Sequence, residues 1–415
     1  MTATVIRSVP ADTDRPAHRD GNVLRWLGAY TSSMIGDNVY YLALSWAAVQ
    51  AGTPSQAGLV MAVSAVPRAL LMLGGGVVAD RFGPRKVVIG SDAVRCAAVL
   101  AVAALLFAAG PGLWPLALLA VVFGTVDAVF MPAVGALPVR VTSHGQLARV
   151  QGMRGLASRF ANVVGAPLGG LAVALGGSAT AFGLAGMLIA VSVPLLISVR
   201  MRELPTDDKA AERPVRRDLR DGLGYIRRHR VLAPLIAAIA LGDFGFVGPL
   251  NVGLTLLADQ RGWGAAGMGW VVAGFGTGAG AAALLLTVRG HLLHAGRLAG
   301  VAILGGSVAI GALAYAPSAA AAVGVAVLVG LLAGLSGALC GALLQTHADP
   351  AYLGRVTAVA GLVSLGLAPL SMPLAAAAIG WWGTGPVFVA SAAVCGLGGV
   401  LALCVRDLRR AELPR

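Results

Sequence analysis

The sequence predicts an all-α membrane protein of twelve transmembrane helices arranged as two pseudo-symmetric six-helix bundles, and three observations carry that prediction. First, 57% of the 415 residues are hydrophobic and only 12% charged, against about 25% charged in a soluble domain. Second, three local patterns recur at one offset: Gly36-Asp37 returns as Gly242-Asp243, Leu147-x-Arg149-Val150 as Leu353-x-Arg355-Val356, and Pro167-Leu168 as Pro373-Leu374, each pair 206 residues apart. An offset near half the chain marks an internal duplication. Third, the basic residues are distributed unevenly among the connections.

Apolar stretches of about 20 residues, enough to span a bilayer, fall at 23–50, 55–79, 86–109, 113–138, 146–174, 178–199, 231–257, 264–287, 297–316, 318–346, 355–379 and 384–405. Short Gly/Pro punctuation such as Gly110-Pro111-Gly112 separates them. Trp26, Trp114, Trp263, Trp381 and Trp382 lie near the ends, where an indole rests in the interface with its N–H wet. The domain reading is an N-terminal arm at 1–21, a first bundle at 22–199, a linker at 200–230, a second bundle at 231–405 and a tail at 406–415. Within the linker, 218–230 reads as a basic amphipathic helix lying on the inner leaflet.

The net charge of +13 does not imply nucleic acid, because it is not gathered on a soluble face. Arg7, Arg15 and Arg19, then Arg81, Arg85 and Lys86, Arg140, Arg200 to Arg230, Arg289 and Arg297, Arg355, and Arg406 to Arg415 all occupy the termini or alternate connections. Among the intervening connections only the one near Arg261 carries a basic residue. This bias places both termini in the cytoplasm of a multi-pass cell-membrane protein. The first twenty residues contain no apolar core of a cleaved signal. Cys96, Cys340, Cys395 and Cys404 are scattered without metal or disulfide spacing, and His291 and His294 have no Cys or Glu partner, so no metal is expected. Gly274-x-Gly276-x-Gly278-x-Gly280 lies inside a span with no preceding strand, which reads as close helix packing rather than a phosphate loop.

A charge at the bilayer centre costs about 2.5–3.5 kcal/mol on insertion scales, so each one inside a span requires a reason. Counting about 1.5 Å per residue from the nearest connection, Asp37, Arg68, Asp127, Arg159 and Asp243 lie near mid-depth, with Asp92 and Arg95 nearer the inner third. Asp92 and Arg95, three apart on one helix, are expected to form a structural pair. Asp37, Asp127 and Asp243 then face Arg68 and Arg159, so one acid is left without a one-to-one partner. A buried carboxylate without a cation accepts protons at neutral pH. Asp37, beside Asn38 and Tyr41, is the leading proton-coupling residue, with Asp243 and Asp127 as further candidates; the alternative for each acid is a buried ion pair that ties helices together. Arg68 and Arg159 either hold these carboxylates or contact an anionic group of a substrate. A site where proton and substrate compete gives exchange, and one charge crossing about 100 mV supplies about 2.3 kcal/mol. No further cofactor is needed.

Gly76-Val77-Val78-Ala79-Asp80-Arg81-Phe82-Gly83-Pro84-Arg85-Lys86, between the second and third spans, resembles the loop motif of the major facilitator superfamily, with Pro84 inserted before the basic pair. Gly83 permits the tight turn, and Asp80, Arg81, Arg85 and Lys86 would gate the cytoplasmic side through helix ends and charges of the other half. The fifth span resembles the antiporter motif of drug-exporting members: Gly152, Gly165, Gly169 and Gly170 are in register, while Ala161 and Ala166 replace a glycine and the proline, and Pro167 comes one place late. Gly36-Asp37 before Tyr40-Tyr41, Pro67-Arg68, Ser91-Asp92 with Arg95, Pro132-Ala133 and Gly354-Arg355-Val356 after Gln345 extend the similarity to the macrolide-efflux and enterobactin-exporter branch. The resemblance implies proton-coupled drug or metabolite efflux through a central cavity lined by the first, fourth, seventh and tenth helices, and a monomer is expected. It also implies Asp37, Asp127 and Asp243 on that cavity. The basic residue many drug exporters carry in the fourth helix is absent between Leu113 and Val139. An uptake symporter would use the same fold and acids, and a non-transporting receptor or scaffold would also need a polytopic body.

Overall fold

The computed structural model describes residues 16–110, 112–201, 215–289, 294–349 and 352–412. The arm up to residue 15, linker residues 202–214, His291, the last three residues and the surroundings of Gly76 and Asp80 lie outside that description.

The described residues form long helices joined by brief turns. Helix α1 (Gly21–Ala51) starts where the Asp20 carboxylate accepts the Asn22 N–H at 2.8 Å. Helix α2 (Pro54–Phe82) starts with a reciprocal Thr53–Gln56 capping box and a proline in its first turn. Gly83, at φ +84°, turns the chain into α3 (Pro84–Ala109), and α4 (Leu113–Val141) follows. The helical run Leu147–Ser198 contains two helices, α5 (147–175) and α6 (178–198), broken at Gly176-Gly177, where Gly177 takes φ +74°. After the linker helix α7 (Val215–Arg228) comes α8 (Leu232–Gln260). Pro249 has no N–H to donate, and α8 widens to a π-helical turn over Pro249–Gly253. Helices α9 (Gly264–Arg289), α10 (Ala295–Leu313), α11 (Ala319–His347), α12 (Leu353–Trp382) and α13 (Thr384–Cys404) complete the second half, and the short α14 (Arg406–Arg409) ends it.

Among the described residues, eight helical stretches are long and apolar enough to cross a bilayer, the double-length one holding α5 and α6. Helix α1 falls outside that group and carries Thr31, Ser32, Ser33, Asp37 and Asn38 along its length.

The halves are related as the 206-residue register requires. Helix α4 begins at 113 and α11 at 319, α5 at 147 and α12 at 353, and α6 at 178 and α13 at 384. Between halves, α5 packs on α9 and α2 on α12, contacts that interchange under a two-fold axis. At the arginine-poor end, the Ser45 hydroxyl lies 3.4 Å from the carbonyl oxygen of its own repeat mate Asn251, and 2.5 Å from the Thr255 hydroxyl. Gln50 donates to Asp259 at 2.7 Å in the same layer.

The linker helix, expected on the inner leaflet, packs one face against protein. It docks on the start of α12: the Tyr225 and Tyr352 rings stack 4.5 Å apart and nearly parallel, Ile226 is buried, and Gly222 sits against the Arg355 backbone. His229 then starts α8 by accepting the N–H groups of Val231 and Leu232 on its Nδ1, each at 3.2 Å. Burial, with His347 nearby, pushes its pKa down and keeps that nitrogen free to accept.

Candidate functional site

Four helices of the first half bring their polar side chains to one point. Ser33, Asp37 and Tyr41 follow each other at four-residue spacing and so share one face of α1. At the centre stands Arg95 of α3, fully buried. Its Nη1 donates to both Asp37 oxygens at 2.9 and 3.0 Å and to Asp127 at 3.2 Å, while Nη2 donates to Asp92 and to the Ser33 hydroxyl. Phe130 lies under the guanidinium with its ring centre 3.8 Å away, and Phe123 at 5.4 Å. Such contacts favour a desolvated cation. Asp92 also accepts from the Ser33 and Ser192 hydroxyls. Tyr41 donates to the other Asp127 oxygen at 2.9 Å, and Arg68 reaches the Tyr41 hydroxyl at 3.4 Å.

This corrects the expected pairing. Asp92 and Arg95 do meet, but not as an isolated pair, because Arg95 also takes Asp37 and Asp127. Arg68 touches a tyrosine rather than a carboxylate. Arg159, also expected as a charge partner, donates to the Ala279 carbonyl of α9 at 2.9 Å and ties the halves together. Convergence of α1, α3, α4 and α6 decides the partners, and spacing along one helix reveals only the first of them. Ser33, Ser192, Phe123 and Phe130 were not anticipated; the four-residue step from Ser33 to Asp37 was the available signal. Asn38 turns elsewhere, to the Met34 carbonyl and to Asn162 of α5.

Asp243 occupies different surroundings. Among the described residues no cation pairs with it. It faces a cavity of about 320 Å³ between α8, α9, α10, α11 and α13, otherwise lined by small and apolar residues including Phe246, Phe275, Ala333 and Cys340. The cavity lies within the second half, whereas the resemblance implied one shared by both; Asp37 and Asp127 are buried against Arg95 instead of lining it. Among the described residues no group of three or more His, Cys, Asp or Glu is arranged to hold a metal ion.

The glycines of α5 serve close crossings. Gly165 and Gly169 meet Asn38 and Val39 of α1, and Gly170 meets the Ala265 carbonyl of α9, while Gly152 faces open space. Pro167 sits inside the helix between these contacts. In the gate motif, Arg85 donates to the Ile197 carbonyl at 2.5 Å, which anchors α3 to α6 of its own half instead of to the other half. Arg81 lies over the neighbouring Phe82 ring, and Lys86 is exposed.

The sequence profile of the Major Facilitator Superfamily matches residues 26–365. The chain belongs to that superfamily. As a member it is a multi-pass membrane transporter. Similar curated proteins include the enterobactin exporter EntS of Escherichia coli O127:H6, 27% identical over 362 residues that cover 86% of this chain and 84% of that protein. EntS of Shigella boydii serotype 18 matches with the same identity and coverage. Among solved structures, a bacterial homologue of the human lysosomal transporter Spinster, inward-facing and occupied, superposes with TM-score 0.71 at 14% identity, over 95% of this chain and 98% of that one. The D-xylose-proton symporter gives 0.70 at 13%, over 95% and 98%, and the nucleoside transporter NupG 0.67 at 12%, over 94% and 99%. These likenesses establish the major facilitator fold.

Proposed function

We propose that this major facilitator protein exports a small amphipathic molecule in exchange for protons, with the first half handling the proton and the second half the cargo. The observation that carries the reading is one guanidinium among three buried carboxylates. With all groups ionised, the cluster of Asp37, Asp92, Asp127 and Arg95 holds two uncompensated negative charges in a low-dielectric interior, and proton uptake relieves that imbalance. Asp92, enclosed by two hydroxyls and Arg95, is the scaffold. Asp37 has the most exposed side chain of the three at 11%, against 4% for Asp127 and 1% for Asp92, so it takes the proton first.

Neutral Asp37 holds Arg95 less tightly and loosens α1 from α3. Helix α1 also meets α8 through Ser45 and Thr255 at the arginine-poor end, so freeing its middle frees the contact on which the halves would rock. The apolar cavity with a single carboxylate, Asp243, suits a largely apolar guest with one cationic or hydrogen-bond-donating group. Similarity to proteins named as enterobactin exporters supports the outward direction.

The test uses everted vesicles carrying the full chain, energised acid inside, with ethidium and erythromycin as probes. Wild-type protein accumulates a probe against its gradient and Asp37→Asn does not, although it inserts normally. Uphill accumulation by Asp37→Asn equal to wild type removes Asp37 from coupling. Accumulation only in right-side-out vesicles reverses the direction.

A further inference from the structure

The docked linker helix leaves a second concave surface, outside both the charge cluster and the Asp243 cavity. Arg220, Gly224 and Arg228 repeat every four residues along α7 and face a hollow of about 570 Å³ completed by Asp221, Tyr225, His229 and Tyr352. Gly224 forms an open floor between the two arginines, since a side chain there would meet nothing within 4 Å. The stacked Tyr225 and Tyr352 rings make a rigid wall, braced by the Asp349 N–H donated to the Tyr225 hydroxyl at 3.2 Å. His229 accepts on Nδ1, so the neutral ring carries its proton on Nε2 as a donor.

We infer that this hollow binds the headgroup of an anionic phospholipid, its phosphate held between Arg220 and Arg228 over Gly224. Two guanidiniums around a bare floor provide forked donors for phosphate oxygens. The volume exceeds what a phosphate ion alone would fill and suits a headgroup with its glycerol. Position selects lipid over a soluble anion: α7 leads within three residues into the membrane helix α8, and Leu223, 47% exposed, presents an apolar side chain beside the arginines. Basic hollows at this level attract acidic leaflets at about 1 kcal/mol per arginine. Asp221 is the opposing charge and limits the affinity. The inference is independent of what the protein carries, or in which direction.

Full-length protein in a neutral detergent is titrated with phosphatidylglycerol and, separately, phosphatidylcholine, with bound lipid counted by native mass spectrometry. Wild type retains one phosphatidylglycerol more tightly than the rest and shows no such preference for phosphatidylcholine. Arg220→Gln with Arg228→Gln weakens that site by about thirtyfold, Gly224→Leu blocks it with both charges kept, and Asp221→Asn tightens it several-fold. Arg227→Gln, on the same helix but outside the hollow, leaves it unchanged. Equal retention by the double arginine variant and wild type overturns the site. Displacement of the lipid by millimolar inorganic phosphate overturns the lipid assignment and leaves a soluble anion in its place.

Discussion

The two halves share a backbone plan and differ in what fills it. Gly124 on α4 and Gly330 on α11 are repeat mates, and each lets its helix press onto a backbone carbonyl, of Ser64 on α2 and of Phe275 on α9. Three further mates on the same helices diverge: Phe123, Asp127 and Phe130 in the first half correspond to Val329, Ala333 and Ser336 in the second. The first three surround Arg95, while the second three line the Asp243 cavity. Helix α10 has no charged residue after Arg297, so nothing there plays the part of Arg95. Asp37 and Asp243 thus hold matching places, one clamped and one facing empty space. After duplication the close helix crossings were kept, and the side chains in the middle of each bundle diverged.

The largest expected effect tests the clamp. Arg95→Met strands three carboxylates and lowers stability by about 3–5 kcal/mol, whereas Val301→Met on lipid-exposed α10 stays within about 0.5 kcal/mol; thermal unfolding in detergent compares them. Equal melting temperatures would erase the asymmetry. Next, Gly124→Ala and Gly330→Ala each force a methyl into a carbonyl and cost about 1–3 kcal/mol. Matching losses support equivalent crossings, and a loss at one site alone breaks the symmetry.

Ala333→Leu narrows the cavity, and Asp243→Asn removes its charge. Each weakens ethidium binding, measured by fluorescence titration, by about tenfold, near 1.4 kcal/mol, with folding intact; unchanged affinity in both moves the cargo site elsewhere. The smallest effect belongs to Tyr41→Phe, which removes one donor from Asp127 and costs about 0.5–1.5 kcal/mol. Its stability loss should vanish in an Asp127→Asn background, and full persistence there would show that Tyr41 acts through packing alone.

Much of the fold was legible because lipid enforces long apolar runs and because glycine, proline and arginine mark their ends. The contact of Ser45 with Asn251 fits the 206-residue register, but no pattern around either residue marked the pair. The charged residues were legible as an inventory, since each violates the cost of burial, but their partners were not. Spacing along one helix favours Asp92 for Arg95, and nothing linear says that α1 and α4 bring two more carboxylates to the same guanidinium. The cavity was harder still, because small residues announce close packing as readily as empty space. Only after α4 and α11 are aligned does Ala333 become the absence of an aspartate. The docking of α7 rests on Tyr225 and Tyr352, 127 positions apart, a separation at which local pattern carries no information.

The bond from Arg159 to Ala279 joins a side chain of one half to a carbonyl whose residue lines the cavity of the other. A guest large enough to push α9 outward would stretch that bond, and a smaller one would leave it slack. Any displacement of α9 beside the cavity would therefore be felt first at Arg159 on α5.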